Sequence, residues 1–286
     1  MIYHYTTIQA FNAILNSFRN SGTRKDFVFW ASSIYMMNDY TEMLYGWEVL
    51  LNNLRAYEKE NNVADNKRLS NFMQKSKTSN LSNILMPHFY NEEKTPYVIS
   101  FSERKDYLPM WSMYGRKGSG VCLCFDKEQI KEGCEDTIVY PILSTLYINQ
   151  EEKNEITSKV LSGILQGEYK NYLERNKNDD LEKIQTIGTI LPIFSAYIKN
   201  NAYLYEKEMR LVAISMDIKK TVRFRASEKG SLIPFVEIPI PVNSLQEIIV
   251  GPCVQPENIE NGLLLALHAS GLDVPVSTSQ IPYREI

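Results

Sequence analysis

Hydrophobic and polar positions along the chain change period several times. The opening run Met1–Tyr5 alternates as a strand does. From Thr7 to Phe18 the period becomes helical, with Ile8, Phe11, Ile14, Leu15 and Phe18 on one face. Thr6 is placed to cap this helix, and Gln9 three residues on completes a capping box. A second strand is predicted at Phe27–Ser32, and Met37-Asn38-Asp39 reads as a turn and helix start. Beyond it Tyr40, Met43, Leu44, Trp47, Leu50, Leu51 and Leu54 fall at helical spacing. Residues 57–80 are charged and Asn-rich, which predicts a solvated helix end or loop.

Strand patterns return at Pro96–Ser102, Val121–Asp126 and Thr137–Ile142, with a short turn at Met110–Tyr114. Residues 149–205 are dominated by helix, with a polar break at Asn176–Asp180. Strands are predicted again at Arg210–Ser215, Thr221–Arg225, Phe235–Pro239 and Glu247–Gly251. A helix over Glu257–Ser270 and a strand near Val274–Ser277 close the pattern. Strands thus lie at both ends, with helical blocks between them. That predicts one α+β domain over residues 1–286, with helical insertions at about 40–90 and 150–205. The strands do not alternate regularly with helices, and no GxGxxG or GxxxxGK[ST] occurs, so a doubly wound dinucleotide fold is disfavoured.

Composition narrows the picture in three ways. With 44% hydrophobic residues among 286 there is enough apolar material for a real core. The net charge of -3 supplies no global basic field for gripping duplex nucleic acid. No apolar run approaches the roughly 18 residues of a membrane span, and the N-terminal segment has no secretion-signal pattern. The three histidines stand far apart at 4, 88 and 268. Cys122 and Cys124 share one face of a strand, too close in sequence for a usual zinc pair. No metal is expected, and reduced thiols in a cytoplasmic protein are.

Four segments carry candidate chemistry. On the strand Tyr3-His4-Tyr5-Thr6, His4 and Thr6 point to one face and Tyr3 and Tyr5 to the other. His4 can bond a ligand hydroxyl, or it can be a half-buried histidine satisfied by its neighbours. Asn38-Asp39-Tyr40-Thr41-Glu42 is explained largely by helix capping. Phe101-Ser102 precedes Met110-Trp111-Ser112-Met113-Tyr114 and glycines 115, 118 and 120, which allow close backbone approach to a ligand or simply make a turn. In Tyr205-Glu206-Lys207-Glu208-Met209-Arg210, an extended backbone would put both carboxylates on one side. At least one then needs a cation or a cationic transition state, and Arg210 is in phase to supply the former. An exposed, charged strand start is the plain alternative.

Taken in order, these segments, with the Gly120-Val121-Cys122-Leu123-Cys124-Phe125 strand and the later Ile248-Ile249-Val250-Gly251-Pro252, resemble a widespread bacterial family catalogued only as a domain of unknown function. The match spans residues 1 to about 255, and the combination is specific where no single piece is. A second, weaker resemblance is to the ADP-ribosyltransferase-like superfamily, whose first strand ends in His-x-Thr and whose late strand carries Glu-x-Glu. That resemblance implies a mainly antiparallel split sheet and an enzyme cleaving NAD as a substrate, with a nucleic-acid or protein acceptor. A toxin or anti-phage effector role would follow. It also implies that Glu208 is the catalytic carboxylate and Glu206 assists. His4, with Tyr5, Thr6 and Ser102, would contact NAD, while Tyr35, Trp111 or Tyr114 would stack on the nicotinamide.

If His4 and Glu208 act on one NAD, their strands must lie in one sheet region and face one cleft. The two residues should then stand on the order of 10 Å apart. The rival expectation is a non-catalytic module that binds a nucleotide or partner and regulates a neighbouring toxin or nuclease.

Overall fold

The computed structural model describes residues 1–20, 26–37, 42–78, 95–130, 137–148, 170–175, 180–227, 230–253 and 255–282. An eleven-stranded, mostly antiparallel sheet forms its frame. The strands of its main path are β1 (Ile2–Thr6), β2 (Asp26–Ser33), β3 (Pro96–Ser102), β4 (Val121–Phe125), β10 (Val222–Ala226), β11 (Leu232–Pro241), β12 (Leu245–Val250) and β13 (Val276–Thr278). Their spatial order is β10-β11-β2-β3-β1-β4-β12-β13, and only β12–β13 is parallel within it. Strand β9 (Glu208–Ser215) pairs with the other edge of β3 along its whole length. Two short strands, β5 (Thr137–Val139) and β6 (Leu143–Ser144), pair with β9 in turn. Of the stretch predicted as the strand Thr137–Ile142, β5 takes the first three residues, and β6 begins just after it. A separate parallel pair joins β7 (Leu146–Ile148) to β8 (Ile198–Asn200). The fold is therefore α+β with a mostly antiparallel sheet.

The sheet forks at β3. Strand β2 meets one end of a β3 edge, with Ser32 opposite Val98 and Ser33 opposite Tyr97. Strand β1 meets the other end of that edge, with Tyr3 opposite Ser102. One wing is thus β2-β11-β10 and the other β1-β4-β12-β13.

One face of the sheet buries the main core. Helices α1 (Ile8–Asn20) and α6 (Pro256–Ala269) lay Phe11, Ile14, Leu15, Leu263 and Leu267 against Phe29, Phe101, Leu123 and Ile248. The cap of α1 is Thr7, whose Oγ1 accepts from the Ala10 backbone N–H at 3.1 Å. Thr6, expected in that role, is the last residue of β1 and pairs with Val121.

The opposite face carries the helices of residues 42–78 and 180–195 and α4 (Leu108–Met113). Helix α2 (Glu42–Glu60) packs with α3 (Leu69–Thr78) and α5 (Asp180–Ser195) around Leu50, Leu54, Leu69, Met73 and Leu191. Of residues 57–80, expected as a solvated helix end or loop, the first few do end α2, and Leu69–Thr78 forms a further helix. Buried Glu58 caps α3 by accepting from the Ser70 backbone N–H at 3.1 Å. Asn38–Thr41, His88 and Cys134 lie outside the described residues. No helix among the described residues is long and apolar enough to cross a membrane.

Candidate functional site

The richest polar cluster sits where β8, β9 and the turn between them meet. Asn200 opens a 3-10 turn at Asn201–Glu206, its side chain accepting from the Ala202 N–H at 2.9 Å. Lys207 closes the turn in the left-handed region, with φ 44°. That kink, not an extended backbone, brings Glu206 and Glu208 together. Lys199, from β8, lies between them, its Nζ 2.6 Å from Glu206 Oε2 and 3.0 Å from Glu208 Oε2. Arg210 grips Glu208 from the other side, Nε to Oε1 and Nη2 to Oε2, both at 2.9 Å.

All four side chains are buried; Lys199, Glu206 and Glu208 are 4%, 2% and 4% exposed, and Arg210 is 0%. Two carboxylates and two cations cancel, so the cluster is neutral. Tyrosines close it. The Tyr114 hydroxyl donates to Glu206 Oε1 at 2.7 Å, and the Tyr147 hydroxyl accepts from the Glu208 backbone N–H at 2.7 Å. The Tyr203 ring stands 4.8 Å from the Lys199 ammonium. Burial alone would raise the Glu208 carboxyl, but Arg210, Lys199 and the hydrogen bonds hold it down at about 2.

Strand register decides which predicted residues share this side. Directly opposed residues of an antiparallel pair project to one face. Tyr3, Ser102 and Glu208 lie opposite one another across β1, β3 and β9 and therefore share a face. His4, one residue on, points the other way. It sits in the main core, with ring centroids 5.3 Å from Phe29 and 5.7 Å from Phe101. The expected common cleft of His4 and Glu208 is not formed: the sheet itself separates them. Half-buried His4 instead meets the Ser100 carbonyl with Nδ1 at 2.9 Å. Neither β1 nor β2 pairs with residues 99–101 at the fork, so His4 serves a carbonyl that the ladder leaves open.

The other predicted residues also serve the chain. Thr6 faces the core with His4. Ser102 is fully buried, donating to the Glu206 carbonyl at 2.6 Å and accepting from the Arg104 N–H at 3.0 Å. The Tyr5 hydroxyl donates to the Arg104 carbonyl and accepts from the Tyr107 N–H, holding the turn after β3. Trp111 is 0% exposed, edge-on to Tyr5 at 4.8 Å, with its indole N–H on Asp106. No face of it is left for a nicotinamide. Half-buried Tyr35 packs between the helical cluster around Leu50 and the sheet residues Val98 and Val212. The structure thus brings together Ser102, Tyr114, Glu206, Glu208 and Arg210, and places His4, Thr6, Trp111 and Tyr35 elsewhere.

Of the two readings of glycines 115, 118 and 120, close approach to a ligand or a plain turn, the turn is the one formed. A Cβ on Gly120 would lie 2.3 Å from the Thr6 carbonyl, and one on Gly251 2.2 Å from the Gly118 carbonyl. These glycines let the chain approach itself. A hollow of about 330 Å³ does exist, lined by Met1, Ile2, Glu103, Asp126, Lys127, Glu128 and Met209, but it includes none of the predicted site residues. Among the described residues no group of three His, Cys, Asp or Glu could hold a metal ion.

Lys199 and Tyr147 carry no motif that singles them out in the sequence. The signal for Lys199 is the need of two close carboxylates for a second cation beside Arg210.

The model of a family described as "Protein of unknown function (DUF2971)" matches residues 110–211. That stretch runs from the Met-Trp-x-x-Tyr turn through the Gly-Val-x-Leu-x-Phe strand to the Tyr-Glu-x-Glu-x-Arg segment, and over it the resemblance to a family of unknown function holds. No curated protein and no solved structure matches the chain.

Proposed function

We propose that this chain is a non-catalytic binding module for a nucleotide or partner, and that its Tyr205–Arg210 segment is structural. The observation that carries this reading is the state of Glu208. Both its oxygens are engaged by cations, it is 4% exposed, and the sheet separates it from His4. A carboxylate that stabilises a cationic ribose must direct uncompensated negative charge at it. Glu208 already spends its charge on Arg210 and Lys199. The test is incubation of the pure protein with labelled NAD, alone and with nucleic acid or lysate. No nicotinamide release is expected, and Glu208→Gln should change melting only. Release that Glu208→Gln abolishes in a folded protein would overturn the reading.

One observation favours the second reading, an NAD-cleaving ADP-ribosyltransferase-like enzyme acting on nucleic acid or protein as a toxin or anti-phage effector. Ser102, Tyr114, Glu206 and Glu208 are gathered within one hydrogen-bonded group beside Tyr203. The same assay decides between the two.

A further inference from the structure

The wing β2-β11-β10 offers a surface of different chemistry from the buried cluster. Residues directly opposed in register put Ser32, Phe235 and Arg223 in one row across the face turned away from the main core. Trp30 and Arg225 lie on that face too, by strand alternation. Trp30 stacks on Phe235, with centroids 4.6 Å apart and planes 29° from parallel, and is still 46% exposed. The phenyl ring backs one side of the indole and leaves an aromatic surface to solvent. Arg225 reaches diagonally across β11 to donate from Nη2 to Ser32 Oγ at 3.1 Å, and its buried Nε has no hydrogen-bond partner among the described residues. Arg223 is exposed. Glu237, exposed and opposite Trp30, marks the other end of the face.

We infer that this face is a stacking platform for single-stranded nucleic acid. The inference rests on the binding-module reading and names its ligand. Charge and shape together select this occupant. Two arginines gather on one wing of a molecule whose net charge is -3, so the attraction for an anion is local. An acidic peptide would satisfy the arginines and leave the indole face unused. A second copy of the wing would bring arginines against arginines. A duplex keeps its bases stacked inside, out of reach of side chains on a flat sheet. An unpaired base covers the indole while its phosphate meets the guanidinium groups, the pairing that sequence-tolerant single-strand binders use. Trp30 and Arg223 stand two strands and two residues apart in register, about 12 Å, a span that two nucleotides cover. Among the described residues β10 is the edge strand of the sheet, so no further strand of theirs lies in the path of a chain.

The test is fluorescence anisotropy of a short labelled oligo-U, with its oligo-A duplex and UMP as competitors. Wild type should bind the single strand, and cold duplex and UMP should compete poorly. Trp30→Ala should weaken binding about tenfold, and Trp30→Phe should restore most of it. With two phosphate contacts, the slope of log affinity against log salt should be about −1.4, and Arg223→Glu should cut it by about half. Arg223 is exposed, so Arg223→Glu should leave melting unchanged, whereas Trp30→Ala gives up the stack on Phe235 and should lower it; Arg223→Glu alone suffices if Trp30→Ala proves unstable. Binding insensitive to both positions overturns the platform and leaves the module reading standing. Competition by UMP as strong as by the oligomer overturns the polymer ligand. Absence of oligo-U binding overturns the inference, and if NAD is also cleaved, the module reading falls with it.

Discussion

Glu208 shows how one residue can look catalytic in sequence and be structural in the fold. Its two oxygens join Lys199 of β8 and Arg210 of β9, and Arg210 Nη1 also donates to the Ala196 carbonyl just past α5 at 2.9 Å. Breaking a buried pair by removing one partner leaves an uncompensated charge and typically costs about 3–5 kcal/mol. Glu208→Gln keeps the shape and strands a positive charge, so urea unfolding should show a loss of about 3 kcal/mol. Lys199→Met should cost about as much, and the double variant should cost clearly less than the sum, because the charges then rebalance. The pH dependence has a fixed sign. The Glu208 carboxyl lies at about 2 in the fold against an ordinary 4.5, so its stabilisation is complete above 4.5 and is lost as pH falls from 4.5 towards 2. Thermal melts across that window should fall in the wild type and fall less steeply in Glu208→Gln.

At the scale of elements, glycine and helix patterns test the packing directly. Gly251 follows β12 where a Cβ would meet the Gly118 carbonyl at 2.2 Å and the Trp111 ring at 2.9 Å, with backbone and a fully buried indole that cannot yield. Gly251→Ala should destabilise by about 2 kcal/mol, as overpacking does. Gly188 is the opposite case. It sits inside α5, where an added methyl group would meet nothing within 4 Å, so Gly188→Ala should stabilise by about 0.5–1 kcal/mol through helix propensity. Chemical denaturation of the pair should give opposite signs. Elements with a strong period were legible in the sequence: α1, α6, β3, β4 and β12 lie close to their predicted places because their apolar positions repeat at 3.6 or 2. Helix α3 was not, because Leu69 and Met73 are its only fully buried apolar residues and the charge around them reads as solvent. The candidate site was half legible. Tyr114, Glu206, Glu208 and Arg210 do meet, but Lys199 reaches them through a parallel strand pair and a 3-10 turn that leave no period to read.

Across the whole molecule the decisive feature is the fork, which no local pattern encodes because it depends on which strands share an edge of β3. Register and side-chain alternation put His4 and Glu208 on opposite faces, and the fork explains what His4 does. The Ser100 carbonyl lies between the stretch paired to β2 and the residue paired to β1, and a carbonyl can only accept, so His4 holds its proton on Nδ1. Burial pulls the His4 imidazole below its ordinary 6.5, and the Ser100 carbonyl offsets this only in part. The neutral ring is therefore the form the fold selects. Its contribution is complete above 6.5 and is lost as pH falls below that value through the lowered folded-state pKa. His4→Gln keeps an N–H donor for the Ser100 carbonyl and removes the titration. Stability of the wild type should decline between neutrality and the carboxylate range, whereas His4→Gln should stay flat there and retain the acid loss below 4.5 that belongs to Glu208. His4→Ala removes the donor altogether and should cost about 1–3 kcal/mol at neutral pH, because the carbonyl is left without a partner. Amide exchange should then rise on β1 and β3 around the fork and stay unchanged on β10 and β11. A uniform rise over both wings would mean that the fork is not held by this bond.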